Sequence, residues 1–564
     1  MSALSDRRLK TLAYVGSLAV YLAVGYWLQV RHGFILGDAL SRVSAAQSVL
    51  FSRDPHLAAI GFIFTPLTAM LQLPQIALSP LWPALADRAF AGSIMSSVFM
   101  AGAVVQVLSI GSDRGLPRGY TVAIAALFAL NPMIVFYGSN GMSEAPFVFF
   151  TTWAVRRLIA WMIDDDVHHL IAAGGIAMGL SYLTRYDAVG CIAAAGVVVF
   201  VTTYLRAPAA PRWRRALLDL LLVSGPGLAA FIGWAVTSWL ITGQPFAQFT
   251  SQYGNSAILQ QTGQPAEHFG AGLVFAATCV TLLAPTLVPL AVWAGVVRWR
   301  RPYGSTVVVP LALFGAVLAF QAYTYASGST FPFLRFYIAA VPMAAVLALL
   351  AVPEGAFARP KRRGKYAPPQ TVSRPPRRPW LAYAPVALVF AVTVPSAAHA
   401  MTLPRYAPQE YALASVLAPD ADDRSDRGAV ERRIAASFST ERDIARYLDA
   451  LNLPDSSVIV DTVFGFAVVA ASQRPRTFVV PSDPDFTELL NDPVGHGVEY
   501  LLAVPPEGRG VSDALNTRYP TLYATGADVS TLELEIPNDG DSQPTWRLYR
   551  VDEPGPADAR ATRR

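Results

Sequence analysis

The residues of this sequence that are best suited to chemistry are acids and arginines at the ends of apolar segments. Asp38 follows the first apolar run, in the stretch GFILGDALSR. Glu144 lies in SNGMSEAPF, Arg185 and Asp187 lie in LTRYDAV, and Arg335 lies in FPFLRFY. A partly desolvated carboxylate can act as a general base, whereas an arginine can hold a phosphate through two parallel hydrogen bonds. These residue types suit a reaction that involves a hydroxyl group and a phosphate.

Each of these residues also has a structural explanation that the sequence leaves open. Glu144 follows Ser143 at the start of an apolar segment, where the helix dipole favours a carboxylate by about 0.3–1 kcal/mol. Arg185 and Asp187 are close enough in the chain to form a local ion pair. Asp38 precedes the helix-like stretch ALSRVSAAQSVLFS and could be the N-cap of that helix.

The elements that must position these residues are membrane spans. Hydrophobic residues make up 53% of the 564 residues and charged residues only 15%, which indicates a membrane protein. A span needs roughly 20 mainly apolar residues, because lipid offers the backbone no hydrogen-bond partners. The pattern predicts about eleven spans, at approximately 11–30, 89–111, 119–137, 145–163, 168–185, 188–205, 216–241, 271–297, 303–325, 335–352 and 381–400. The stretch 56–82 is also apolar, but its prolines favour short helices at the membrane surface.

The distribution of lysine and arginine orients these spans. With the N-terminus inside, the inward connections hold 22 Lys and Arg residues and the outward connections hold six. Cytoplasmic loops carry such an excess, so the N-terminus is predicted to be cytoplasmic and the C-terminal part to lie outside the cytoplasmic membrane. The acids and arginines named above all fall on outward connections. Candidates there for a supporting or acceptor-binding role are Arg42, Glu144, Asp187 and His268.

The composition divides the chain into residues 1–400, a transmembrane region whose first outer loop spans 31–88, and residues 401–564. The second part has 16 basic and 26 acidic residues, against 28 and 13 in the first. It alternates the apolar stretches SSVIVDTV, RTFVVP, VEYLLAVPP and TWRLYRV with the helix-like stretches ERDIARYLDALN and DPDFTELLNDP. This pattern predicts an extracytoplasmic, soluble α/β sandwich. Its GHG and GRG triplets lack the strand-loop-helix setting of a nucleotide-binding loop, and no nucleic-acid partner is indicated.

Neither the cysteines nor the acidic run DDDVHH indicates a metal site. Cys191 and Cys279 lie inside apolar runs, away from other ligand residues. The run from Asp164 to His169 resembles an Asp-x-Asp metal motif. However, the topology places it on the cytoplasmic face, where a solvated turn is the better interpretation. We therefore expect that no cofactor is required; no residue is predicted as a metal ligand, although a divalent metal stays open.

Four stretches, taken in order, resemble the GT-C superfamily of membrane glycosyltransferases, particularly the bacterial relatives of the dolichyl-phosphate-mannose protein mannosyltransferases. They are LGDALSR, NPMIVFYGSNGMSEAPFVFF, GLSYLTRYDAVGCIAAAGVVVF and FLRFYIAAVPMAAVLALL, and they cover most of residues 30–350. The resemblance implies a GT-C-like, mostly helical polytopic fold, a polyprenyl-phosphate sugar donor and an acceptor hydroxyl outside the membrane. It also implies that the acid of the first outer loop, here Asp38, is the base. The commonest family pattern has two nearly adjacent acids there, whereas Ala39 and Leu40 follow Asp38.

The residue types suit this chemistry as well. A sugar that leaves as a polyprenyl phosphate ester needs positive charge rather than a proton, because the departing phosphate is a weak base, and Arg185 and Arg335 are the candidates. The acceptor hydroxyl does need a base, which Asp38 can supply. Direct displacement inverts the anomeric centre, and positioning with electrostatic stabilisation makes a metal optional. We therefore expect an inverting glycosyltransferase that acts on a glycan, lipid or protein of the cell envelope.

Two other functions stay open from the sequence. A transporter or flippase for lipid-linked sugars commonly has internal repeats and broken spans that meet at mid-membrane. The sequence shows neither feature, and its charges lie at the outer rim instead. A non-catalytic assembly protein, whose tail binds envelope partners, would tolerate the loss of Asp38, whereas a glycosyltransferase that uses this acid as its base would not.

Overall fold

The chain forms two compact units, each assembled from separate parts of the sequence. The computed structural model describes residues 5–208, 210, 212–261, 268–299, 304–353, 364, 379–420 and 422–552. One unit, called here the helical unit, contains Met1–Gly25, Ser93–Thr237 and Ala266–Tyr411. The other, called the sheet unit, contains Tyr26–Gly92, Ser238–Pro265 and Ala412–Arg564. The first outer loop, which the sequence grouped with the membrane region, therefore packs in the same unit as the C-terminal sheet.

Long apolar helices dominate the helical unit. Among the described residues, six helices are long and apolar enough to cross a membrane, judged by length and composition: Asp6–Arg31, Phe90–Asp113, Ala188–Arg206, Arg212–Thr242, Gly304–Ala326 and Leu381–Ala400. The bent pair Phe269–Leu283 and Leu287–Arg298 makes a seventh if the two helices form one span. The predicted mostly helical fold is confirmed, whereas the number of about eleven spans stays a prediction.

The remaining helices of this unit are shorter or interrupted. They are Arg118–Ala129, Pro132–Tyr137, Glu144–Asp164, Val167–Leu170, the π-helix Ile171–Met178, Gly179–Thr184, Leu334–Tyr337 and Ala340–Leu350, while the apolar stretch Leu381–Ala400 consists of the helices Pro379–Ala391 and Thr393–Ala400. Local sequence explains several of the breaks. The bent pair meets at 73° where Pro285 follows Ala284, because proline cannot donate the helical hydrogen bond. At another end, the Asn131 side chain accepts a hydrogen bond from Met133 N and so caps the helix that begins at Pro132.

The sheet unit contains a five-stranded mixed sheet. Its strands are β1 (Val458–Ile459), β2 (Phe478–Val479), β3 (Tyr500–Ala503), β4 (Ser530–Ile536) and β5 (Trp546–Val551), in the spatial order β2-β1-β3-β5-β4. The pairs β1–β2 and β1–β3 are parallel, whereas β3–β5 and β4–β5 are antiparallel. Parallel neighbours need a crossover connection, and the helices Thr462–Ala471 and Phe486–Asn491 lie in those connections. The sequence predicted every strand of this sheet except β4.

Helices cover both faces of the sheet. Alternate strand residues belong to two apolar clusters, one with Val458, Phe478 and Trp546 and the other with Ile459 and Tyr549. This alternation follows from the two-residue period of a strand. The other helices of the unit are Tyr26–Arg31, Gly37–Phe51, Leu57–Ile60, Leu67–Met70, Leu73–Ile76, Ala84–Asp87, Ala247–Thr250, Asn255–Gln261, Leu413–Leu417, Asp426–Ala435, Ser439–Ala450, Pro475–Thr477, Gly508–Ser512, Ala514–Arg518, Leu522–Thr525 and Gly526–Asp528. The predicted α/β sandwich is confirmed, as are the short helices within 56–82.

The first outer loop is anchored to the sheet by packing and by charge. Its helix Gly37–Phe51 packs against Thr462–Ala471, a helix without charged residues. Just beyond that loop helix, Arg53 Nε lies 2.9 Å from Asp483 Oδ2, and the same guanidinium also pairs with Asp485. The Asp483 side chain is fully buried, and burial raises the pKa of its carboxyl group. Arg53 therefore neutralises a carboxylate that has left solvent.

Replacing Arg53 with Ala should destabilise the sheet unit by about 3 kcal/mol, because it leaves Asp483 buried without its cation. The matched control is Arg476→Ala. Arg476 pairs with Asp455 at 2.9 Å, but both of these side chains are more than half exposed, so the cost should stay under about 1 kcal/mol. Thermal unfolding of the purified proteins measures the difference. Equal losses in the two variants would contradict the anchoring role of Arg53.

Asp513 is a second buried acid in this unit and gives a pH-dependent prediction. Its Oδ1 accepts hydrogen bonds from Leu515 N and Asn516 N, so it caps the helix that begins at Ala514. Burial, together with the charge of Asp461, raises the pKa of Asp513 well above its usual value. Because the folded-state pKa is raised, stability from this group is present at low pH and is lost as the pH rises through that pKa.

The Asp513→Asn variant should therefore melt at or above the wild-type temperature at about pH 7.5, and this advantage should disappear at about pH 4. Asn caps a helix about as well as Asp, whereas Asp513→Ala removes the cap and should cost about 1 kcal/mol at either pH. Melting curves of both variants at the two pH values make the comparison. A larger loss for Asn at high pH than at low pH would show that the ionised form is the stabilising one.

Candidate functional site

Several helix ends meet in the helical unit and bring charged residues together. Glu144 is the first residue of the helix Glu144–Asp164, and Ser143 before it makes no side-chain cap. Arg185 follows the helix Gly179–Thr184 in an extended conformation, and Asp187 directly precedes the helix Ala188–Arg206. Arg335 lies in the 3₁₀ turn Leu334–Tyr337. These side chains therefore lie at the ends of helices and in the short connections between them, rather than along helix faces.

The two arginines meet at one carboxylate oxygen. Arg185 Nη1 lies 2.8 Å from Glu144 Oε1, and Arg335 Nε lies 3.9 Å from the same oxygen. Arg185 also contacts Asp187 Oδ2 at 2.7 Å through Nη2 and donates to Ser143 Oγ at 3.2 Å. Glu144 is 1% exposed and Arg335 is 4% exposed. The local Arg185–Asp187 ion pair that the sequence left open is present, and it belongs to this larger cluster.

The two carboxylate oxygens of Glu144 differ in their partners: Oε1 contacts both arginines, and Oε2 contacts neither. Glu144 Oε2 is buried and has no hydrogen-bond partner among the residues that the structure describes. A buried polar atom without a partner is costly, so this oxygen is suited to accept a hydrogen bond from a bound hydroxyl or amine. Arg335 is the looser of the two cations on Glu144, because its 3.9 Å separation is longer than a charge-assisted hydrogen bond.

Sequence reasoning missed two members of this cluster. Glu410 is 2% exposed, and the Tyr137 hydroxyl donates a hydrogen bond to its Oε1. Burial raises the pKa of Glu410, while the charge of Arg335 opposes that rise. Glu410 lies beyond the last predicted span in a stretch of mixed polarity, APQEYALAS, so nothing local distinguishes it from a surface residue. Only its burial in the folded unit identifies Glu410 as a member of the cluster.

Asp38 lies in the sheet unit, on the first turn of the helix Gly37–Phe51. The N-cap of that helix is Leu36, and no side chain caps it. The capping explanation for Asp38 is therefore wrong, because the helix begins one residue before it. Asp38 is half-buried, and its backbone oxygen accepts a hydrogen bond from Arg42 Nη1 at 2.8 Å. Arg42 is 6% exposed, and its guanidinium lies 4.1 Å from the centre of the Phe64 ring.

The other candidates are distributed over both units. His268 lies in the helical unit and is exposed, at the N-terminus of the helix Phe269–Leu283. Arg53 is committed to Asp483 and Asp485, as described above. Within the described residues no group of three His, Cys, Asp or Glu side chains is arranged to hold a metal ion. The structure thus groups Glu144, Arg185, Asp187 and Arg335 in one unit and places Asp38 with Arg42 in the other.

The acidic run at Asp164–His169 is not the solvated turn that the sequence predicted. Asp164 and Asp165 are 8% and 5% exposed. Asp164 pairs with His169 at 3.1 Å, and Asp165 pairs with Arg215 at 3.0 Å. The prediction was wrong for these two acids, because Asp164 contacts His169 within the run and Arg215 of the helix Arg212–Thr242 pairs with Asp165, whereas Val167 and His168 are exposed. This run lies at the opposite end of the Glu144–Asp164 helix from Glu144, roughly 30 Å away at 1.5 Å per residue.

The fold of this chain is similar to folds of known structure. No protein-family model matches the chain, and no curated protein sequence matches it. Among solved structures, ArnT from Cupriavidus metallidurans bound to undecaprenyl phosphate is similar with a TM-score of 0.51 and 12% identity. The match covers 96% of this chain and 98% of that one. The apo form of ArnT gives the same TM-score with 13% identity.

A weaker likeness extends to the archaeal oligosaccharyltransferase AglB from Archaeoglobus fulgidus, solved with an inhibitory peptide and a dolichol-phosphate. Its TM-score is 0.35 at 11% identity, covering 87% of this chain and 69% of that one. The likeness to ArnT, a GT-C glycosyltransferase, shows the fold. This chain has the GT-C fold, with helical and sheet-containing parts that both fall within the matched length. The GT-C architecture expected from the sequence is confirmed.

Proposed function

We propose that this protein is an inverting glycosyltransferase that moves a sugar from a polyprenyl-phosphate donor to a hydroxyl of a cell-envelope acceptor, on the outer face of the cytoplasmic membrane. The observation that carries the proposal is the likeness to ArnT over almost the whole of both chains. ArnT was crystallised with undecaprenyl phosphate, a ligand of the class proposed here. Arg335, which is buried, and Arg185, whose side chain is 14% exposed, are the cations available for such a phosphate.

Each step of the reaction is assigned to a residue type that suits it. Arg335, with Arg185, would hold the donor phosphate and stabilise the negative charge that grows on it as the sugar leaves. Asp38 would accept the proton of the acceptor hydroxyl as the new glycosidic bond forms. Attack from the side opposite the phosphate inverts the anomeric carbon. The departing phosphate needs no proton, so this scheme requires neither a second acid nor a metal.

Glu144 has a supporting role in this scheme. It lies between the two arginines, so it sets the charge of the cluster before the donor arrives. Its Oε2 is available to accept a hydrogen bond from a hydroxyl or amine of the bound sugar. Asp187 holds Arg185 in place through a 2.7 Å ion pair. Arg42 and His268 stay candidates for acceptor binding.

The direct test is transfer by the purified protein. Radiolabelled polyprenyl-phosphate sugars would be added to the protein in the presence of membrane extract, and label in a lipid, glycan or protein product would be measured. Label should move to an acceptor only when protein, donor and extract are all present. Movement of the intact labelled donor across liposome membranes, without release of free polyprenyl phosphate, would instead support the transporter.

The proposed orientation gives a further prediction. A membrane-impermeant thiol reagent applied to intact cells should label Ala524→Cys, an exposed position of the sheet unit, and should not label Arg363→Cys in the basic stretch 353–379. The native thiols provide a low background, because Cys191 and Cys279 are both buried. Labelling at position 363 with none at 524 would reverse the topology and place the C-terminal part inside the cell.

A further inference from the structure

Two arginines of the sheet unit meet beside Gly33, near the start of the first outer loop. Arg88 comes from the end of that loop, and Arg442 comes from the helix Ser439–Ala450. A Cβ atom on Gly33 would lie 3.2 Å from Arg88 Nη1 and 3.2 Å from Arg442 Nη2. The two guanidinium nitrogens are therefore separated by at most twice that distance, so one phosphate group can contact both. Arg88 and Arg442 are called here the arginine pair.

Gly33 is the residue that lets the two guanidiniums come so close to the backbone. Its φ is +68°, in the left-handed region that glycine adopts at least cost. Its N–H donates to Gln29 O at 3.1 Å, which fixes the turn that follows the first helix. At 3.2 Å a Cβ atom would be closer to both guanidiniums than ordinary van der Waals contact allows. A side chain at position 33 would therefore push the arginine pair apart.

The arginine pair holds two like charges in a half-buried position. Arg88 and Arg442 are both partly shielded from solvent, and like charges at this separation repel each other. Arg442 Nη1 is buried and has no hydrogen-bond partner among the residues that the structure describes. Burial and then the charge of Arg88 lower the pKa of Arg442 to about 10, so both side chains stay charged at neutral pH. An anion placed between them would remove this cost.

The acids nearest in the chain neutralise the pair only in part. Glu441 Oε1 accepts a hydrogen bond from Trp546 Nε1 at 2.9 Å, and Asp443 pairs with Arg446. Asp87 is the remaining neighbour. Burial raises the pKa of Asp87, and the charges of the arginine pair oppose that rise. One carboxylate beside two guanidiniums leaves one positive charge in excess, which matches the single negative charge of a phosphodiester.

Exposed apolar residues just before Arg88 favour a lipid as the source of this phosphate. Leu81 is 85% exposed and Trp82 is 42% exposed. Leu85 N donates to Trp82 O at 3.1 Å, so Trp82 belongs to the turn that leads into the segment ending at Arg88. Tryptophan is enriched at the membrane–water interface, where its ring lies at the level of the lipid headgroups. A free phosphate ion would make no use of these side chains.

The position of the pair along the chain also favours a lipid. Gly33 lies two residues beyond the apolar helix Asp6–Arg31, and Arg88 lies two residues before the apolar helix Phe90–Asp113. Both helices are long and apolar enough to cross a membrane, judged by length and composition. The end of one span and the start of the next lie on the same side of a membrane, at the edge of the hydrocarbon core. Phospholipid phosphates occupy that level.

We propose that Arg88 and Arg442 bind the phosphodiester of an anionic membrane phospholipid, in a site separate from the arginines assigned to the donor. The phosphate contacts both guanidiniums, and the acyl chains lie along Leu81 and Trp82. The bound lipid neutralises the excess charge of the pair and fastens the first outer loop to the helix Ser439–Ala450. Lipid binding of this kind does not depend on the proposed transfer of sugar, so each can fail without the other.

Equilibrium binding of labelled phosphatidylglycerol to the delipidated full-length protein in detergent tests the proposal. Arg88→Gln and Arg442→Gln should each bind the lipid about 10–100-fold more weakly than the wild type, because each loses charge-assisted hydrogen bonds to the phosphate. The matched control is Arg446→Gln, which removes an exposed arginine from the same helix and should keep the wild-type affinity. Equal affinity in all four proteins would overturn the proposal.

Thermal unfolding separates a lipid site from a structural role of the pair. Without added lipid, Arg442→Gln should melt at or above the wild-type temperature, since it removes the repulsion between two half-buried like charges. Phosphatidylglycerol should raise the melting temperature of the wild type and of Arg446→Gln, but not that of Arg442→Gln. If Arg442→Gln melts well below the wild type without lipid, the pair is structural and the proposal is wrong.

Competition identifies the source of the phosphate. Unlabelled phosphatidylglycerol should displace the label, whereas inorganic phosphate and phosphatidylcholine should not. Displacement by inorganic phosphate would assign the pair to a free anion and overturn the lipid proposal. Arg442→Gln should keep the wild-type affinity for polyprenyl phosphate, and Arg335→Gln should keep the wild-type affinity for phosphatidylglycerol. Loss of polyprenyl phosphate binding in Arg442→Gln would place the donor at the arginine pair and contradict a separate site.

Discussion

The Asp38→Asn variant should fold, insert and bind the donor, while transfer falls by a factor of about 10² or more, the usual contribution of a general base. Asn has nearly the same size and shape as Asp but lacks the basic oxygen. A lost helix cap cannot explain a lower transfer rate, because the N-cap of this helix is Leu36 and no side chain makes a capping hydrogen bond. Initial rates of label transfer, with the melting temperature as the check on folding, measure the effect.

Near-normal transfer by a stable Asp38→Asn protein would contradict the assignment of the base. Glu144 would then be the next acid to replace, since its Oε2 is buried and has no hydrogen-bond partner among the described residues. Asp187 would follow. Its Oδ2 already binds Arg185 at 2.7 Å, so a loss of activity there would have to be separated from misplacement of that arginine.

The Arg335→Gln variant should bind the donor about 10–100-fold more weakly than the wild type. Loss of a charge-assisted contact costs roughly 1.5–3 kcal/mol, and each 1.4 kcal/mol is a factor of ten in affinity. The protein should stay folded, because Glu144 keeps its closer partner, Arg185, at 2.8 Å. Equilibrium binding of labelled polyprenyl phosphate measures the change.

The control for this prediction is Arg156→Gln in the same unit. Arg156 pairs with Asp113 at 2.7 Å, but the Asp113 side chain is 42% exposed, so its loss should alter neither stability nor donor affinity much. Unchanged affinity in Arg335→Gln would move the phosphate site, with Arg42 as the next cation to test. Arg53 is a weaker alternative, because two acids of the sheet unit already bind it.

The structure changes what is expected of Arg185. From the sequence, replacing either arginine with Ala should weaken donor binding more than it destabilises the protein. Arg185, however, bridges Glu144 and Asp187, whose side chains are 1% and 4% exposed. Removing it leaves two buried carboxylates without their nearest cation, which is strongly destabilising. A binding defect in Arg185→Ala is therefore informative only beside a measured stability, whereas Arg335→Gln avoids that ambiguity.

The sequence by itself determined the features that depend on neighbours along the chain. Long apolar runs predicted a helical membrane fold, because lipid requires every backbone group to bond within its own helix. Short, continuous apolar stretches predicted four strands, including β1 and β3, because strands covered on both faces bury every residue. Strand β4 was missed because it is no continuous apolar stretch: TLELEI alternates apolar residues with glutamates, and most of its residues are exposed.

The tertiary structure alone decided which of the charged residues meet. Tyr137 and Glu410 are 273 residues apart, and Arg53 and Asp483 are 430 apart, yet both pairs are in contact. Local sequence cannot predict such pairs, because ionic partners depend on which helix and strand ends the packing brings to the same place. For the same reason Asp165 looked solvated in the sequence and is buried in the fold, where Arg215, 50 residues away, pairs with it.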